Sequence, residues 1–463
     1  MGAIMETTSR RSFVKKAALG AGLAGAPALR PGWAQGSPNE QVRLGVVGIR
    51  GRGRDHYRAF ARVPGVRIAY LCDIDERLYA GALAEIEGVT GYKPATFVDI
   101  RKLLEQKDLD AISIATPDHW HALHMIWGCQ AGKDVYVEKP VSHNLREGRK
   151  MVEASRKYNR MVQSGLNRRS ERRNQAGVRF VQEAKFGPAY RAKAVVYRGR
   201  TTIGRVQESS IPKGVNWDLF LGPAPYKPFN LNRFHYAWHY SWDTATAEMG
   251  NNGVHAIDIV RWGLAKNVHP VKITCSGGRF VDDSDQETPN LQNATYEYAD
   301  GTLVDLEVTT LPSPSFGGVQ MGEFFYTPQG YVTSANKWTA VLGEFTPQTT
   351  PDPPSGVSNR VNNVSFPRIA YKPGPPIPDL DGPEVTHFQN FIDCVRSRKR
   401  ENLNCEILEG HMSTSLCHLA NIAFRTGRKL TFDPATETFP GDAEASRLLT
   451  RTYREPYVVP DQV

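Results

Sequence analysis

The first part of the chain alternates short apolar runs with amphipathic stretches, and this alternation constrains the fold more than any other feature. The apolar runs occupy residues 42–48, 67–72, 110–116, 134–137 and 161–165. Helical patterns separate them at 53–62, 75–87, 99–106, 119–131 and 144–158. Apolar strands separated by helices indicate a parallel sheet that is covered on both faces. Right-handed crossovers then predict a doubly wound, Rossmann-like α/β domain over residues 35–166.

The second part of the chain has a different pattern and predicts an α+β domain over residues 167–463. Strand-like runs lie at 189–198, 271–280, 292–300, 302–310 and 324–334. Helical patterns lie at 171–184 and 253–264. The turn signal at 299–301 predicts an antiparallel hairpin, so we expect a largely antiparallel sheet.

The end of the second part combines a loop with late helices. Residues 347–382 are rich in Pro, Gly, Asn and Ser and predict a long surface loop. The helical patterns within residues 383–426 are expected to pack back on the Rossmann domain. No later stretch of the chain is long and apolar enough to cross a bilayer.

The N-terminal residues have the pattern of an export signal. Residues 9–16 read Ser-Arg-Arg-Ser-Phe-Val-Lys-Lys, and a weakly apolar run follows at 17–29. Small residues at Gly32 and Ala34 predict cleavage after Ala34. We therefore expect residues 1–34 to be a twin-arginine signal peptide that engages the twin-arginine export machinery, and the mature protein to be periplasmic. The alternative is a basic tail without a targeting role.

Charge and cysteine content exclude two classes of function. The formal net charge of +9 is spread widely beyond the basic N-terminal segment, so it does not indicate a nucleic-acid partner. The six cysteines include no C-x-x-C pair, which argues against a zinc ribbon or a thioredoxin-type site. Cys72 lies in a predicted buried strand, where a free thiol behaves as a small apolar residue.

A glycine-rich loop follows the first predicted strand and opens the first predicted helix. It consists of Gly48, Ile49, Arg50, Gly51, Arg52 and Gly53. A dinucleotide pyrophosphate binds at such a helix N-terminus, although a plain glycine turn would look the same. Arg50 replaces the middle glycine of G-x-G-x-x-G, which normally lets the backbone approach the pyrophosphate. We expect Gly51 to take over part of that role, and Arg50 or Arg52 to pair with phosphate oxygens.

Asp73 supports the dinucleotide interpretation of the glycine loop. It ends the second predicted strand, close to the offset of about 20 residues that is typical of a ribose-binding acid. A carboxylate there accepts hydrogen bonds from ribose hydroxyls and repels a 2′-phosphate, which predicts NAD rather than NADP. The alternative is an ordinary aspartate that caps the next helix.

Two further segments follow predicted strands at the sheet edge where ligands bind in open α/β sheets. One covers residues 115–121, and the other is Glu-Lys-Pro at 138–140. The residues of these segments that we expect to contact the cofactor are Thr116, Pro117, His121, Glu138 and Lys139. Lys139 is also a candidate proton-transfer group, since burial next to a positive nicotinamide ring would lower its pKa.

A glycine- and asparagine-rich segment at 248–258 leads into an amphipathic helix. His255 and Asp258 are three residues apart in it, so they share one helix face. The alternative for His255 is a helix-start histidine that bonds to the local backbone.

With these features in this order, the chain resembles the Gfo/Idh/MocA family of sugar and polyol oxidoreductases over nearly the whole mature chain. The most specific parts are 138–140 and 250–258, and 217–223 is similar to a segment of the exported, twin-arginine members. The resemblance implies an N-terminal NAD(P)-binding domain with Lys139 in the active site. It also implies a C-terminal sheet that covers the nicotinamide and often forms a homo-oligomer, a dimer or a tetramer.

The resemblance also implies which residues contact the substrate. His255 matches the histidine of the family's D-x-x-x-H pattern, but Asn251 stands at the aspartate position. Because asparagine cannot act as a general base, we expect Lys139 and His255 to be the catalytic pair instead. The predicted substrate-binding residues are Asn167, Arg168, Asn251, His255 and Asp258.

An aromatic stretch at 234–242 remains open to two interpretations. Aromatic residues alternate with other residues in it, which predicts an extended segment with one aromatic face. That face is either a stacking platform for sugar rings or a core or subunit contact. Its histidines His235 and His239, together with Asp243 and His255, match no common metal signature, so we expect no metal.

These observations predict an NAD-dependent oxidoreductase that transfers a hydride between a sugar or polyol hydroxyl and a tightly bound nicotinamide cofactor. The periplasm holds no useful pool of free cofactor, so an exported enzyme must retain its own. The first alternative is redox-neutral cleavage of a glycoside through a transient keto-sugar. The second is a sugar-binding protein without catalysis, which the change to Asn251 keeps open.

Overall fold

The computed structural model describes residues 41–346 and 368–463 except for single positions at 317, 336, 379 and 381. The predicted signal peptide 1–34, with its cleavage site, lies outside the described residues, as does most of the predicted loop 347–382. None of the helices in the described part is long and apolar enough to span a membrane.

The N-terminal domain is built on a six-stranded sheet in which every pairing is parallel. Its strands are β1 (Val42–Val47), β2 (Val66–Cys72), β3 (Ala95–Phe97), β4 (Ala111–Ile114), β5 (Asp134–Val137) and β6 (Val162–Ser164). They are arranged in the order β3-β2-β1-β4-β5-β6, which confirms the predicted doubly wound sheet. The apolar patterns did not reveal β3, because it is short and its first residues are exposed.

Five helices cover this sheet and match the predicted helical patterns to within a few residues. They are α1 (Arg52–Phe60), α2 (Tyr79–Thr90), α3 (Ile100–Leu104), α4 (Asp118–Gln130) and α5 (Leu145–Lys157). The largest difference concerns the start of α2, where Glu76–Leu78 forms a separate 3-10 turn capped by the Asp75 carboxylate. Nearly every residue of α4 is buried, so this helix fixes the strand end that precedes it.

The C-terminal domain is built on a nine-stranded, largely antiparallel sheet, as predicted. Its strands are β7 (Arg191–Tyr197), β8 (Lys272–Gly278), β9 (Leu291–Glu297), β10 (Leu303–Thr309), β11 (Met321–Thr327), β12 (Gly330–Thr333), β13 (Thr339–Thr346), β14 (Arg368–Pro373) and β15 (Leu430–Thr431). The predicted β9–β10 hairpin is present, and β7 and β10 form a parallel pair.

One strand prediction and one loop prediction in this domain are wrong. Residues 324–334 belong to two strands, since a tight turn separates β11 from β12 and reverses the chain. The predicted loop 347–382 contains β14, which pairs with β13 at the edge of the sheet. The composition of this segment favours a loop. Pairing with β13 overrides that local preference, and for this reason the prediction failed.

The helices of the C-terminal domain pack on both domains. They are α6 (Arg172–Gln182), α7 (Trp217–Leu221), α8 (Val254–Gly263), α9 (His387–Ser397), α10 (Ile407–Thr426) and α11 (Ala443–Arg447). The long helix α10 contacts α5 of the Rossmann domain and β8 of the second sheet. Phe391 and Ile392 of α9 lie in the same apolar cluster as Phe60 and Tyr136 of the Rossmann domain.

The aromatic stretch is not an extended segment, and that prediction is wrong. His235–Tyr240 forms a 3-10 helix. The backbone N–H of Ala237 donates to the Phe234 carbonyl over 3.1 Å, and the segment is compact rather than pleated. Stacking between neighbouring rings stabilises this turn, because His239 lies 3.6 Å from Trp238 between ring centroids.

Candidate active site

A cavity of about 350 Å³ lies at the carboxyl ends of the Rossmann strands, between that sheet and segments of the C-terminal domain. Eleven of the predicted site residues line it: Gly48, Arg50, Gly51, Arg52, Asp73, Thr116, Pro117, His121, Glu138, Lys139 and Asn251. The structure therefore brings the glycine loop, both strand-end segments and the start of the α8 segment to one place.

The backbone of the glycine loop leaves no room for side chains at its two outer glycines. A Cβ atom on Gly48 would lie 2.7 Å from the Ala115 carbonyl oxygen, and one on Gly53 would lie 1.7 Å from the Gly48 carbonyl oxygen. Gly51 has a φ of 54° and faces open space at the N-terminus of α1. This open cradle of backbone beside a helix start fits a dinucleotide pyrophosphate.

Two residues of the loop, Ile49 and Gly53, support its shape without lining the cavity. Gly53 is buried, and its closeness to Gly48 sets the sharp turn into α1. The Ile49 side chain is buried in the apolar core, while its backbone N–H donates to Asp73 Oδ2 over 2.8 Å. Neither residue belongs to the cavity wall.

Asp73 ties the glycine loop to the end of β2. Besides the bond from Ile49, its Oδ1 accepts a hydrogen bond of 2.9 Å from the Asp75 N–H. Burial raises the pKa of Asp73 to about 6, although these backbone N–H groups oppose the shift. The carboxylate lines the cavity, so it is available to ribose hydroxyls. These residues fit NAD, as the sequence predicts.

The two loop arginines have different surroundings. Arg52 Nε donates to Glu138 Oε1 over 2.8 Å, so its guanidinium is engaged with a carboxylate. Arg50 is exposed at the cavity wall. Of the two, Arg50 is therefore the residue placed to pair with a phosphate oxygen.

Glu138 is a buried carboxylate that fixes the end of β5. Its Oε1 also accepts from His56 Nε2 over 2.9 Å, and its Oε2 accepts from the Lys139 backbone N–H over 3.1 Å. Burial favours the neutral acid, but Arg52 and His56 hold the pKa of Glu138 well below its usual range. Glu138 thus supports the segment that carries Lys139 as an ionised group.

His121 connects the two strand-end segments. One of its ring nitrogens lies 2.7 Å from the Pro140 carbonyl oxygen, and the other lies 2.8 Å from the Thr116 carbonyl oxygen. The ring is buried, and burial lowers the pKa of His121. The neutral ring has a single N–H and donates to one of these two carbonyls, so His121 packs between the two segments and bonds directly to one of them.

The Lys139 amine is held by a single partner residue. Its Nζ donates to the Asn251 backbone oxygen over 2.7 Å and to Asn251 Oδ1 over 3.0 Å. Burial lowers the pKa of Lys139, although Glu138, Asp118 and Glu248 oppose the shift. When the amine is neutral it has two N–H groups, and Asn251 accepts both, so its lone pair is then free to accept a proton.

Asn251 owes its orientation to Glu248. Asn251 lies in the π-helical turn Met249–Gly253, directly before α8. Its Nδ2 donates to Glu248 Oε2 over 3.0 Å, which turns its Oδ1 towards Lys139. Glu248 also pairs with Arg200 at 3.5 Å. The carboxylate that the D-x-x-x-H pattern leads us to expect at position 251 is thus supplied three residues earlier, behind the amide.

His255 lies near Lys139 but does not form part of the cavity wall. The ring is half-buried, and its Nδ1 is buried without a hydrogen-bond partner in the described part of the chain. Burial lowers the pKa of His255 to about 3, and the charges of Lys139 and Arg168 act in the same direction. The imidazole is therefore neutral, and its catalytic role stays a prediction.

The remaining predicted substrate residues lie outside the cavity wall. Asp258 is buried and accepts from Arg169 Nη2 over 2.8 Å and from the Ser413 hydroxyl over 2.6 Å. Arg168 is held by the Glu323 carboxylate at 2.5 Å. Asn167 begins a 3-10 turn behind β6. Asp258 and Arg168 therefore join α8 to the rest of the domain.

Asp118 is a site residue that the sequence analysis missed. It lines the cavity, is 3 % exposed and accepts a hydrogen bond of 2.8 Å from the Thr246 hydroxyl. Burial raises the pKa of Asp118 to about 7, although Thr246 and the charge of Lys139 oppose this. At the start of a helix, an aspartate is usually a cap, so its pattern carried no functional signal.

Aromatic residues from distant parts of the chain complete the wall. They are Trp120, Trp127, Phe220, Phe234, Tyr236, Trp238 and Tyr457. Phe234 also belongs to a small apolar cluster with Trp217 and Phe220. The aromatic stretch therefore serves as core through Phe234 and as cavity wall through Tyr236 and Trp238.

One group of metal-ligand side chains occurs within the described residues, away from the cavity. It consists of His269, His411 and Glu437. The Glu437 carboxylate already accepts from Arg149 Nε at 3.0 Å and Nη2 at 2.6 Å, and from both histidines. This closed network of hydrogen bonds joins α5 and α10 to the segment before α11.

Comparison with known proteins agrees with this architecture. The model of the oxidoreductase family's NAD-binding Rossmann fold matches residues 42–166. The model of the same family's C-terminal alpha/beta domain matches residues 190–350 and 375–459. The chain belongs to the Gfo/Idh/MocA family of oxidoreductases. The family's NAD-binding domain is therefore the one whose glycine cradle and Asp73 line the cavity.

Relatives within the family carry two kinds of name. Inositol 2-dehydrogenase 2 of Saccharopolyspora erythraea is 29% identical over 274 residues, which cover 58% of this chain and 66% of that protein. A glycosyl hydrolase family 109 protein of Solibacter usitatus is 34% identical over 162 residues, 33% of this chain and 37% of that protein. The chain thus spans little more than a third of that relative's length.

Solved structures share the fold. An NAD-binding protein from Listeria innocua has a TM-score of 0.61 at 16% identity and covers 85% of this chain and 99% of its own. Levoglucosan dehydrogenase in complex with NADH and levoglucosan has a TM-score of 0.58 at 15% identity, covering 84% of this chain and 99% of its own. At these identities the similarity concerns the fold.

Proposed function

We propose that this protein is an NAD-dependent oxidoreductase that transfers a hydride between a sugar or polyol hydroxyl and a tightly bound nicotinamide cofactor. The observation that carries the proposal is the Lys139 amine. It donates to the backbone oxygen and to Oδ1 of Asn251, and it lies in the same cavity wall as the glycine cradle. A base and a dinucleotide cradle in one cavity are the parts that dehydrogenation of an alcohol requires.

In this proposal the chain's own residues handle the proton. Lys139 accepts the proton of the substrate hydroxyl on its free lone pair, and burial favours this neutral amine before the reaction. Asn251 keeps the amine pointed into the cavity, and Glu138 anchors its backbone. His255 remains the second predicted proton-handling residue. A bound nicotinamide supplies the hydride acceptor.

We also propose export and periplasmic location, which rest on residues 9–16. An exported enzyme of this kind would retain its cofactor and reoxidise it with a second substrate. Changing Arg10 and Arg11 to lysine should keep the protein in the cytoplasm, and cell fractionation checks this. Efficient export of that double variant would contradict the proposal.

A homo-oligomer, a dimer or a tetramer, is proposed for the assembly. The support is the outer sheet region of the C-terminal domain, where Tyr371 is 62% exposed and lies 6.0 Å from Tyr331 between ring centroids. Light scattering on the purified protein measures the mass directly, and a monomer would contradict this part.

A second candidate, redox-neutral cleavage of a glycoside, is favoured by the relatives named as glycosyl hydrolase family 109 proteins. In that reaction a ketone forms transiently on the sugar, the neighbouring C–H becomes acidic, and the glycosidic group is eliminated. Water then adds to the double bond that the elimination leaves, and the hydride removed at the start returns to the ketone, so the hydroxyl is restored and no net oxidation occurs. The same lysine would serve as the base.

The two candidates and plain sugar binding are separated by one experiment. Purified protein is denatured, and the supernatant is assayed for NAD. Native protein is then mixed with myo-inositol, levoglucosan and aryl glycosides while the NADH absorbance band and phenol release are followed. Lasting NADH supports the oxidoreductase, phenol release without net NADH supports cleavage, and neither signal with any sugar would refute both.

A further inference from the structure

The 3-10 helix His235–Tyr240 contributes a histidine to the cavity wall that the proposed proton transfer does not use. His239 lines the cavity, whereas the predicted catalytic His255 does not. Its Nδ1 lies 2.7 Å from the Tyr236 carbonyl oxygen. Because a carbonyl can only accept, Nδ1 carries the proton of the neutral ring, and Nε2 is left as an acceptor.

The imidazole of His239 is held in place by its neighbours. Its centroid lies 3.6 Å from that of Trp238 at an interplanar angle of 21°, and 4.4 Å from that of Tyr236. Together with the Nδ1 bond, these contacts fix the direction of Nε2. A fixed acceptor on a cavity wall is the kind of group that orients a hydroxylated ligand.

The surroundings of His239 keep it neutral. Burial lowers its pKa to about 3, and the charges of Lys139 and Arg200 act in the same direction. The ring therefore offers an acceptor and no charge at any ordinary pH. A neutral acceptor binds O–H groups and gives no attraction to phosphate or carboxylate oxygens, so it favours a polyhydroxylated part of a ligand.

We propose that His239 is a substrate-binding residue whose Nε2 accepts a hydrogen bond from a second hydroxyl of the sugar or polyol, while Lys139 engages the hydroxyl that reacts. This inference rests on the proposed function and adds a requirement to it. The substrate must present two hydroxyls to the same cavity wall. A simple alcohol with one hydroxyl lacks the second contact and binds more weakly.

The test uses NAD-loaded protein with Lys139→Met, in which binding is measured without turnover. Sugar affinity is read from the change in tryptophan fluorescence, since Trp238 stacks on His239. The probes are myo-inositol, levoglucosan, methyl β-D-glucopyranoside and the monodeoxy analogues of each. The variants His239→Phe and His239→Gln are made in the same background, and their NAD content is measured first to show that the site is intact.

The expected result is a pattern of selectivity. With His239 present, one monodeoxy analogue should bind roughly three- to tenfold more weakly than its parent, as a lost neutral hydrogen bond predicts. In His239→Phe the parent should weaken by a similar factor, and the difference from that analogue should vanish. His239→Gln should recover part of the difference, because its side-chain carbonyl is also an acceptor.

Two results would overturn the inference. One is an equal loss of affinity for every sugar and analogue in His239→Phe, which would indicate a structural role. The other is unchanged affinity for all of them. Wild-type protein assayed in parallel for NADH formation keeps the proposals apart. If wild-type protein forms NADH but the His239 variants bind every sugar as before, only this inference is contradicted. If His239 distinguishes a parent sugar from its monodeoxy analogue but no sugar gives NADH, only the dehydrogenase proposal is contradicted.

Discussion

At the scale of single residues, the site depends on how the charge around Lys139 is arranged. The family pattern leads us to expect an aspartate at 251, beside the amine. Here the amide of Asn251 lies between Lys139 and the Glu248 carboxylate, with 3.0 Å on each side. The negative charge is kept, but it is farther from the amine. This arrangement favours a lower pKa for Lys139 than a direct carboxylate contact would.

Restoring the family's aspartate should therefore impair this enzyme near neutral pH. In Asn251→Asp, a carboxylate would contact Lys139 and raise its pKa, and it would also face Glu248 where the amide now donates. We expect the acid limb of the pH profile of kcat/KM to move to higher pH by about 1, with lower activity at about pH 7.

The matched control is the double variant Asn251→Asp/Glu248→Gln. It removes the repulsion between two carboxylates, because the amide of residue 248 can then donate to the carboxylate of residue 251. If the single Asn251→Asp variant is faster than wild type at neutral pH, the amide of Asn251 does not serve to keep the pKa of Lys139 low.

Removing the Asp118 carboxylate should move the pH profile in the opposite direction. Its carboxylate raises the pKa of Lys139, so Asp118→Asn should move the acid limb of kcat/KM to lower pH. Folding raises the pKa of Asp118 itself to about 7, so its ionisation costs stability as the pH rises from its unfolded value through that range. The thermal unfolding temperature of the variant should therefore fall less with rising pH than that of wild type. Identical pH dependence of both quantities would contradict the assignment.

At the scale of elements, the sequence predicted what local patterns determine. The Rossmann strands, Asp73 and the Glu-Lys-Pro segment followed from apolar runs and from the edge at which parallel strands end. The 3-10 helix His235–Tyr240 did not, because stacking and turn hydrogen bonds override a period-two pattern. The contacts of Arg168 and Asp258 could not be predicted either. Arg168 bonds to Glu323 and Asp258 bonds to Ser413, and in each pair the two residues are 155 positions apart in the sequence.

The glycine loop allows a sharp test of local geometry. In Gly53→Ala the new Cβ would lie 1.7 Å from the Gly48 carbonyl oxygen, so the turn must open. We expect several kcal/mol of destabilisation, as is usual for imposed backbone strain, and loss of bound NAD. Gly51→Ala meets open space, so its cost comes only from the backbone conformation, φ 54° and ψ −115°, and should be smaller, roughly 1–3 kcal/mol.

Thermal unfolding and the NAD content after gel filtration compare the two variants. Equal effects of both substitutions would show that the close approach of Gly53 to Gly48 does not shape the loop.

At the scale of the whole molecule, the last residues of the chain help to close the cavity. Tyr457 lines it, and its hydroxyl donates to Asp218 Oδ2 over 3.1 Å. Arg454 bonds to the Gly222 and Asp218 carbonyl oxygens at 2.9 and 2.8 Å. The C-terminal segment and the α7 region are thus joined beside the cavity, which would favour the cofactor retention that we propose.

Tyr457→Ala should loosen that retention. Removing the ring opens the wall and breaks the contact with Asp218, so we expect NAD to be lost during dialysis while the protein stays folded. Tyr226→Ala is the control, because Tyr226 is 67% exposed and lies outside the cavity wall. The bound NAD per protein before and after dialysis is the measurement. Equal retention in both variants would exclude a role for the C-terminal segment.

The central claim is that Lys139 is the base for a substrate bound beside a retained nicotinamide cofactor. The most direct measurement is a single-turnover reduction of the bound cofactor by a sugar, followed at the NADH band in wild type and in Lys139→Met. We expect both proteins to contain the same amount of NAD, and the variant to be slower by at least about a hundredfold. Equal rates at equal NAD content would contradict the account.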